Sequence, residues 1–90
     1  MSTLIELPEN LTIHYASSYL DQVKEQVLNA EDVVFDGAKI ETVDTAGVQL
    51  LLVMVKDLSL KGIGHRFESP SKILMESVQG LGLAADFNMA

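Results

Sequence analysis

The sequence predicts an α/β sandwich: a mixed sheet of four or five strands with helices packed mainly on one face. Three observations lead there. Short strand-like runs alternate along the chain with longer segments whose apolar residues recur at helical spacing. The compact run Val33-Val34-Phe35, set between Asp32 and Asp36-Gly37, reads as a central strand covered on both faces. The 90 residues carry no internal repeat or low-complexity segment, so residues 1–90 form one domain, able to bury a core but small enough that every helix must pack on it.

Taken in order, Leu4 to Leu7 alternates weakly, Pro8-Glu9-Asn10 has the composition of a turn, and Leu11-Thr12-Ile13 resumes an extended pattern. Two short strands joined as a hairpin are expected. From Ala16 the apolar positions Ala16, Tyr19, Leu20, Val23 and Val27 mark one face of an amphipathic helix that runs out near Asn29 and Ala30. After the central strand, Gly37 to Thr42 is a connection of ordinary length. Asp44 and Thr45 then have side chains suited to accepting from the free N–H groups of a helix start. That helix is expected to run to about Lys61, where Gly62 and Gly64 stop it.

Ile63 to Glu68 follows as a strand anchored by Phe67. Ser69-Pro70-Ser71 places a cap residue before a proline at a first helical position, and Ile73, Leu74, Ser77, Val78 and Leu81 share one face of the resulting helix. Gly80 and Gly82 end it. In the closing stretch, Ala84 to Ala90, Phe87 and Met89 are placed to cover an exposed edge as a strand or a turn.

Composition narrows the chemistry. Without cysteine, disulfides, thiol nucleophiles and cysteine-bound zinc are excluded, and a reducing cytoplasm is compatible. The N-terminus Met1-Ser2-Thr3-Leu4-Ile5-Glu6 lacks the basic region and long apolar core of a secretory signal. The longest apolar run, Leu50 to Val55, is far short of a bilayer span, so no membrane insertion is expected. A net charge of −7 with scattered lysines and arginines argues against nucleic acid and anionic membrane surfaces, leaving a protein or small-molecule partner.

No catalytic constellation, cofactor motif or metal-ligand spacing stands out, and an enzyme is not expected. His14 and His65 have no neighbouring ligand at metal-binding spacing and read as surface or strand-edge residues. Gly62 and Gly64 lie between a helix and a strand and are a stop and turn, not a phosphate cradle. Glu31-Asp32 falls in a turn, where two carboxylates are simply solvated.

The helix after Asp44 is more informative. At about 100° per residue, Val48, Leu50, Leu51, Met54, Val55 and Leu58 gather on the face toward the sheet. The opposite face collects Thr45, Gln49, Leu52, Val53, Lys56, Ser59 and Leu60, a mixed apolar stripe where charge would be ordinary. Either a partner covers that stripe or a neighbouring helix of the same domain does. Together with the turn, it makes Asp44, Thr45, Ala46, Gly47, Gln49, Leu52, Val53 and Lys56 the candidate partner-binding residues.

The strand Val33 to Asp36, the turn Val43-Asp44-Thr45-Ala46-Gly47 opening an apolar helix, the strand ending at Ser69-Pro70 and the helix closing on Gly80-Leu81-Gly82-Leu83 together resemble the STAS domain. That family includes the bacterial anti-sigma-factor antagonists. The likeness covers nearly the whole chain and is sharpest at Asp44 to Gly47, implying a STAS-type sandwich. In the antagonists this turn reads Asp-Ser-Ser-Gly or Asp-Ser-Thr-Gly, and the hydroxyl residue directly before the glycine is phosphorylated by a histidine-kinase-like ATPase. Ala46 holds that position here and has no hydroxyl, so the resemblance implies that the usual phosphoryl switch does not operate at it. Thr45 matches the first hydroxyl of the pattern and is left with two roles, helix cap or a phosphorylation site of shifted geometry.

The Asp-Thr-Ala-Gly turn is also similar to that of stand-alone STAS proteins of chemotaxis-type signalling and of the STAS subunit that binds the ATPase of a bacterial phospholipid-transport ABC system. In the latter, the threonine of the turn is implicated in docking. The resemblance therefore implies a non-catalytic cytoplasmic regulator whose partner is a histidine-kinase-like ATPase, a chemotaxis-type signalling protein or an ABC ATPase. The alternative is a self-associating or small-ligand-binding module, with the outer stripe buried in a homodimer or beneath a ligand.

Overall fold

Two turns of the same pattern build the domain: strand, two-residue strand, helix, strand. In the computed structural model, which describes residues 2–89, the chain runs β1 (Ser2–Glu6), β2 (Asn10–Leu11), α1 (Ile13–Val27), β3 (Asp32–Asp36), β4 (Thr42–Val43), α2 (Thr45–Leu60), β5 (Gly64–Glu68) and α3 (Lys72–Gly80). The strands divide into a three-stranded sheet ordered β1-β3-β5 and a two-stranded ladder of β2 with β4. The α/β class and the five strands are those expected. Each ladder among the described residues is parallel, where a mixed sheet was expected. The cause is connectivity, since α1 carries the chain back between β1 and β3 as α2 does between β3 and β5, and a helical crossover delivers parallel neighbours.

β3 is the central strand, and its Val33, Val34 and Phe35 are all buried. Side chains alternate across the sheet, so Ile5, Val33, Phe35 and Phe67 face the helices. The opposite face carries the in-register row Leu4, Val34, Arg66, with Leu4 59% exposed. Val34 is thus flanked by its own strand neighbours instead of a helix, and the helices do lie mainly on one face. Phe35 and Phe67 stack at 5.0 Å between ring centroids, and Phe87 meets Phe67 edge-on at 5.6 Å.

The expected hairpin of residues 4–7 and 11–13 does not form. β1 pairs with β3, and Leu7 prolongs that ladder by donating its N–H to the Asp36 carbonyl at 2.8 Å. β2 pairs with β4, and Ile13 is already helical, so α1 begins three residues before Ala16. An antiparallel return would have left Ile5 and Leu7, now 2% and 1% exposed, outside the core that α1 and α2 complete. The connection of residues 37–42 ends in an unforeseen strand, β4.

α2 ends where Gly62 adopts φ 74°, with Gly62 N–H donating to the Ser59 carbonyl and Ile63 N–H to the Leu58 carbonyl. This paired closure needs a left-handed residue, which glycine accepts without a Cβ penalty. The same two bonds close α3 at Gly82 and Leu83. At the start of α3 the cap is Ser71, whose Oγ accepts from Leu74 N–H at 3.3 Å, and not Ser69 with Pro70 at the first helical position. Ser69 instead sits at φ 48° in the preceding turn. The closing segment is a set of turns with Phe87 fully buried; Ala90 of that stretch and Met1 lie outside the described residues.

Candidate functional site

The two-stranded ladder brings the starts of α1 and α2 side by side, and one carboxylate serves both. Asp44 Oδ1 accepts from Gly47 N–H at 2.6 Å, capping α2, while its Oδ2 accepts from Ile13 N–H at 3.1 Å, capping α1. Thr12, at the N-cap position of α1, makes no side-chain cap of its own. Asp44 N–H in turn donates to the Leu11 carbonyl at 3.2 Å. A negative group between two helix N-termini meets the positive ends of two dipoles as well as two unsatisfied donors.

Each cap contributes about 1 kcal/mol. Asp44→Ala is therefore expected to destabilise the domain by about 2 kcal/mol, lowering the thermal midpoint by about 10 °C at this chain length. Asp44→Asn, which keeps one acceptor oxygen, is expected to recover about half of that loss in the same thermal melt.

Gly47 is buried, and its lack of a side chain is what lets β2 pass so near α2. A Cβ built there would stand 2.0 Å from the Leu11 carbonyl oxygen and 3.1 Å from the Thr12 nitrogen. This member of the predicted site is thus covered by backbone and supports the turn from within. Leu52 is likewise drawn inward, half-buried against the core, and not displayed as the helical wheel suggested.

The remaining candidates lie on an exposed ridge and its flanks. Thr45, Gln49, Val53 and Lys56 are exposed along α2, with Val53 61% accessible. On one flank Thr45 borders a recess of about 400 Å³ with Val43, Val48, Ser77 and Leu81, between α2 and α3. On the other flank Ala46, Gln49 and Val53 line a groove of about 460 Å³ against α1, completed by Ile13, Ser17 and Leu50. Ile13 is 54% exposed, so the groove has an apolar residue open to solvent on each wall.

Ile13, Ser17 and Leu50 were missed as surface residues, Ile13 because it was read as strand and Leu50 because it was placed with the core. The signal for Ile13 is present: Ile13, Ala16 and Leu20 already stand at helical spacing. His14 is exposed on α1, and His65 is half-buried on β5, an edge strand. Among the described residues no group of three or more His, Cys, Asp or Glu is arranged to hold a metal ion, and no helix is long and apolar enough to cross a membrane.

With the fold and the turn in view, comparison with protein-family models finds one that matches residues 2–90, described as the STAS domain. The chain belongs to the STAS family. A search of the curated proteins finds no match. Among solved structures, this STAS domain is similar to the crystal structure of a sulfate transporter family protein from Wolinella succinogenes, with a TM-score of 0.80. The alignment covers 99% of this chain and 71% of that one at 12% identity, which speaks to a shared fold. STAS membership makes the chain a regulatory, antagonist-like type of module, of a kind that commonly mediates protein–protein contacts and is generally non-catalytic.

Proposed function

We propose that this STAS domain is a cytoplasmic bacterial regulator that docks on a partner ATPase or kinase through the Asp44–Gly47 turn and the first turns of α2, without the usual serine phosphoryl switch. One observation carries the reading. Ala46, at the position where antagonists bear the phosphorylated hydroxyl, lines an apolar groove whose walls include the exposed Ile13 and Val53. A dianionic phosphate would be poorly matched to those walls, whereas a partner's apolar side chain would be covered by them.

The exposed Thr45 and Gln49 add polar contacts at the rim, and Lys56 a positive charge that suits an acidic side chain of the partner. Thr45 is then a docking residue in its unmodified form. Thr45 is exposed at the start of α2, where the capping is done by Asp44.

The test is capture of the ATPase from extracts of the native cell, followed by mass spectrometry. Val53→Asp lies on the surface and is expected to change stability by no more than about 0.5 kcal/mol. It is expected to weaken capture by about 30-fold, the effect of losing a central apolar contact. Thr45→Glu should weaken it as well, and Thr45 recovered with the partner should carry no phosphate. Undiminished capture by both variants, with their circular dichroism intact, would overturn the proposal.

A further inference from the structure

The three-stranded sheet has two edges, and they differ. β5 bears the ion pair of Arg66 with Glu68 at 3.1 Å, and Phe87 lies against its Phe67. β1 has neither lysine nor proline between Ser2 and Glu6, and among the described residues no strand pairs with its outer side. We propose that this edge is a self-association surface, where β1 of a second copy of the chain adds antiparallel with Leu4 opposite its counterpart. The surface is separate from the docking turn, so the proposal does not rest on the function proposed above.

The register of the sheet shows which backbone groups of β1 are unpaired. Leu7 donates its N–H to the Asp36 carbonyl, and Ile5 and Thr3 stand opposite Phe35 and Val33, so Thr3, Ile5 and Leu7 turn their backbone groups toward β3. Those of Ser2, Leu4 and Glu6 point away from the sheet. Among the described residues the Glu6 carbonyl alone of these is met, by the Tyr19 hydroxyl of α1, and a carbonyl oxygen has a second lone pair to offer. A row of unpaired donors and acceptors is a template for another strand.

The antiparallel register centred on Leu4 is favoured by what it brings together. Ser2, Leu4 and Glu6 then lie opposite Glu6, Leu4 and Ser2 of the second copy, and each opposed pair exchanges both of its N–H···O bonds. A centre on Thr3 leaves Glu6 outside the paired strands. A centre on Ile5 sets Ser2 against Pro8, which has no N–H to give, and a centre on Glu6 sets two carboxylates face to face. In the favoured register Leu4, 59% exposed in the single chain, is covered by its counterpart. Glu6 faces a small hydroxyl residue, with its own charge already matched by Lys39 at 2.8 Å.

A five-residue edge, about 17 Å long, is a short interface by itself. The adjoining face of α1 extends it. The Tyr19 bond sets that face beside the edge, and there Tyr15, Ser18, Tyr19 and Gln22 border a recess of about 350 Å³ with Pro8 and His14. None of these is Asp, Glu, Lys or Arg, in a chain with 13 acidic residues, and Tyr15 is 59% exposed. Asp21 and Lys24 of the same helix lie on its other side, toward α2. Depletion of charge together with exposed tyrosine is the composition of an interface centre. The charge of −7 on each copy repels at long range, so added salt is expected to strengthen the dimer.

Sedimentation velocity of the full chain from about 1 μM to about 1 mM is expected to show a reversible monomer–dimer equilibrium. Leu4→Lys sets two like charges face to face and is expected to weaken the dimer by about 30-fold or more, with circular dichroism unchanged because Leu4 already meets solvent. Leu60→Lys, at a residue 87% exposed on α2, is expected to leave the dimer intact. Amide hydrogen exchange reads the edge in the unsubstituted chain. Protection of the Leu4 N–H is expected to rise by about tenfold or more between the dilute and the concentrated end. A monomer at every concentration, a dimer indifferent to Leu4→Lys or lost in Leu60→Lys, or a Leu4 amide whose protection does not follow concentration would overturn the proposal.

Discussion

Gly47→Ala is expected to destabilise the domain by about 3 kcal/mol or more, with a fall in the thermal midpoint of about 12 °C or more. The sign of this change is as informative as its size. In an ordinary helix, glycine to alanine stabilises by up to about 1 kcal/mol, because alanine has the better propensity and less freedom to lose. Here the added carbon would meet the Leu11 carbonyl carbon at 2.6 Å and its oxygen at 2.0 Å.

Both are backbone atoms of a strand in register with β4, and the same oxygen accepts from Asp44 N–H. No side chain can swing aside to make room. Either β2 lifts off β4, breaking the ladder and the cap on Ile13, or the first turn of α2 unwinds. A thermal melt distinguishes the outcomes directly: a midpoint equal to or above that of the wild type would show that the close approach is not enforced.

Phe35→Ala is expected to lower stability by about 4 kcal/mol, a large share of the roughly 5–15 kcal/mol typical of a domain. Phe35 is fully buried on the central strand β3 and stacks on Phe67, which in turn meets Phe87 edge-on. Losing the Phe35 ring removes its own burial and leaves a cavity against Phe67. The strand of Phe35, β3, is paired on both sides, so the backbone has little scope to collapse into the space. Urea unfolding is expected to show a lower midpoint at an unchanged m-value; a loss below about 1 kcal/mol would mean that the aromatic layer repacks freely.

Where the sequence was informative, the signal was local. The start of α2 is written in Asp44, though not in Thr45 as a second cap, the central strand in Val33-Val34-Phe35, and the ends of α2 and α3 in Gly62 and Gly82, while Gly64 already belongs to β5 and Gly80 to α3. What could not be read was which distant segment each strand would meet. Leu4 to Leu7 and Leu11 to Ile13 have a hairpin's pattern, yet the partners of β1 and β2 lie about thirty residues away, beyond a helix whose packing decides the matter.

The site was legible to a similar depth. Its turn and the exposed Thr45, Gln49, Val53 and Lys56 followed from spacing, whereas the groove depends on Ile13 and Ser17 of α1, which only the β2–β4 ladder brings alongside. The second bond of Asp44, to Ile13, spans 31 positions and has no sequence pattern of its own.

That second bond also governs how the turn behaves during an encounter. With the carboxylate gripping both helix starts and Leu11 wedged over Gly47, residues 44–47 cannot swing independently of residues 11–13. Any molecule arriving at this surface meets the finished shape and need not wait for a loop to settle. Backbone ordering has been done at folding, leaving only rotamers such as those of Gln49 and Lys56 to be immobilised, at about 0.5–1.5 kcal/mol each. The turn is a rigid template, and selectivity at it resides in the arriving molecule's fit.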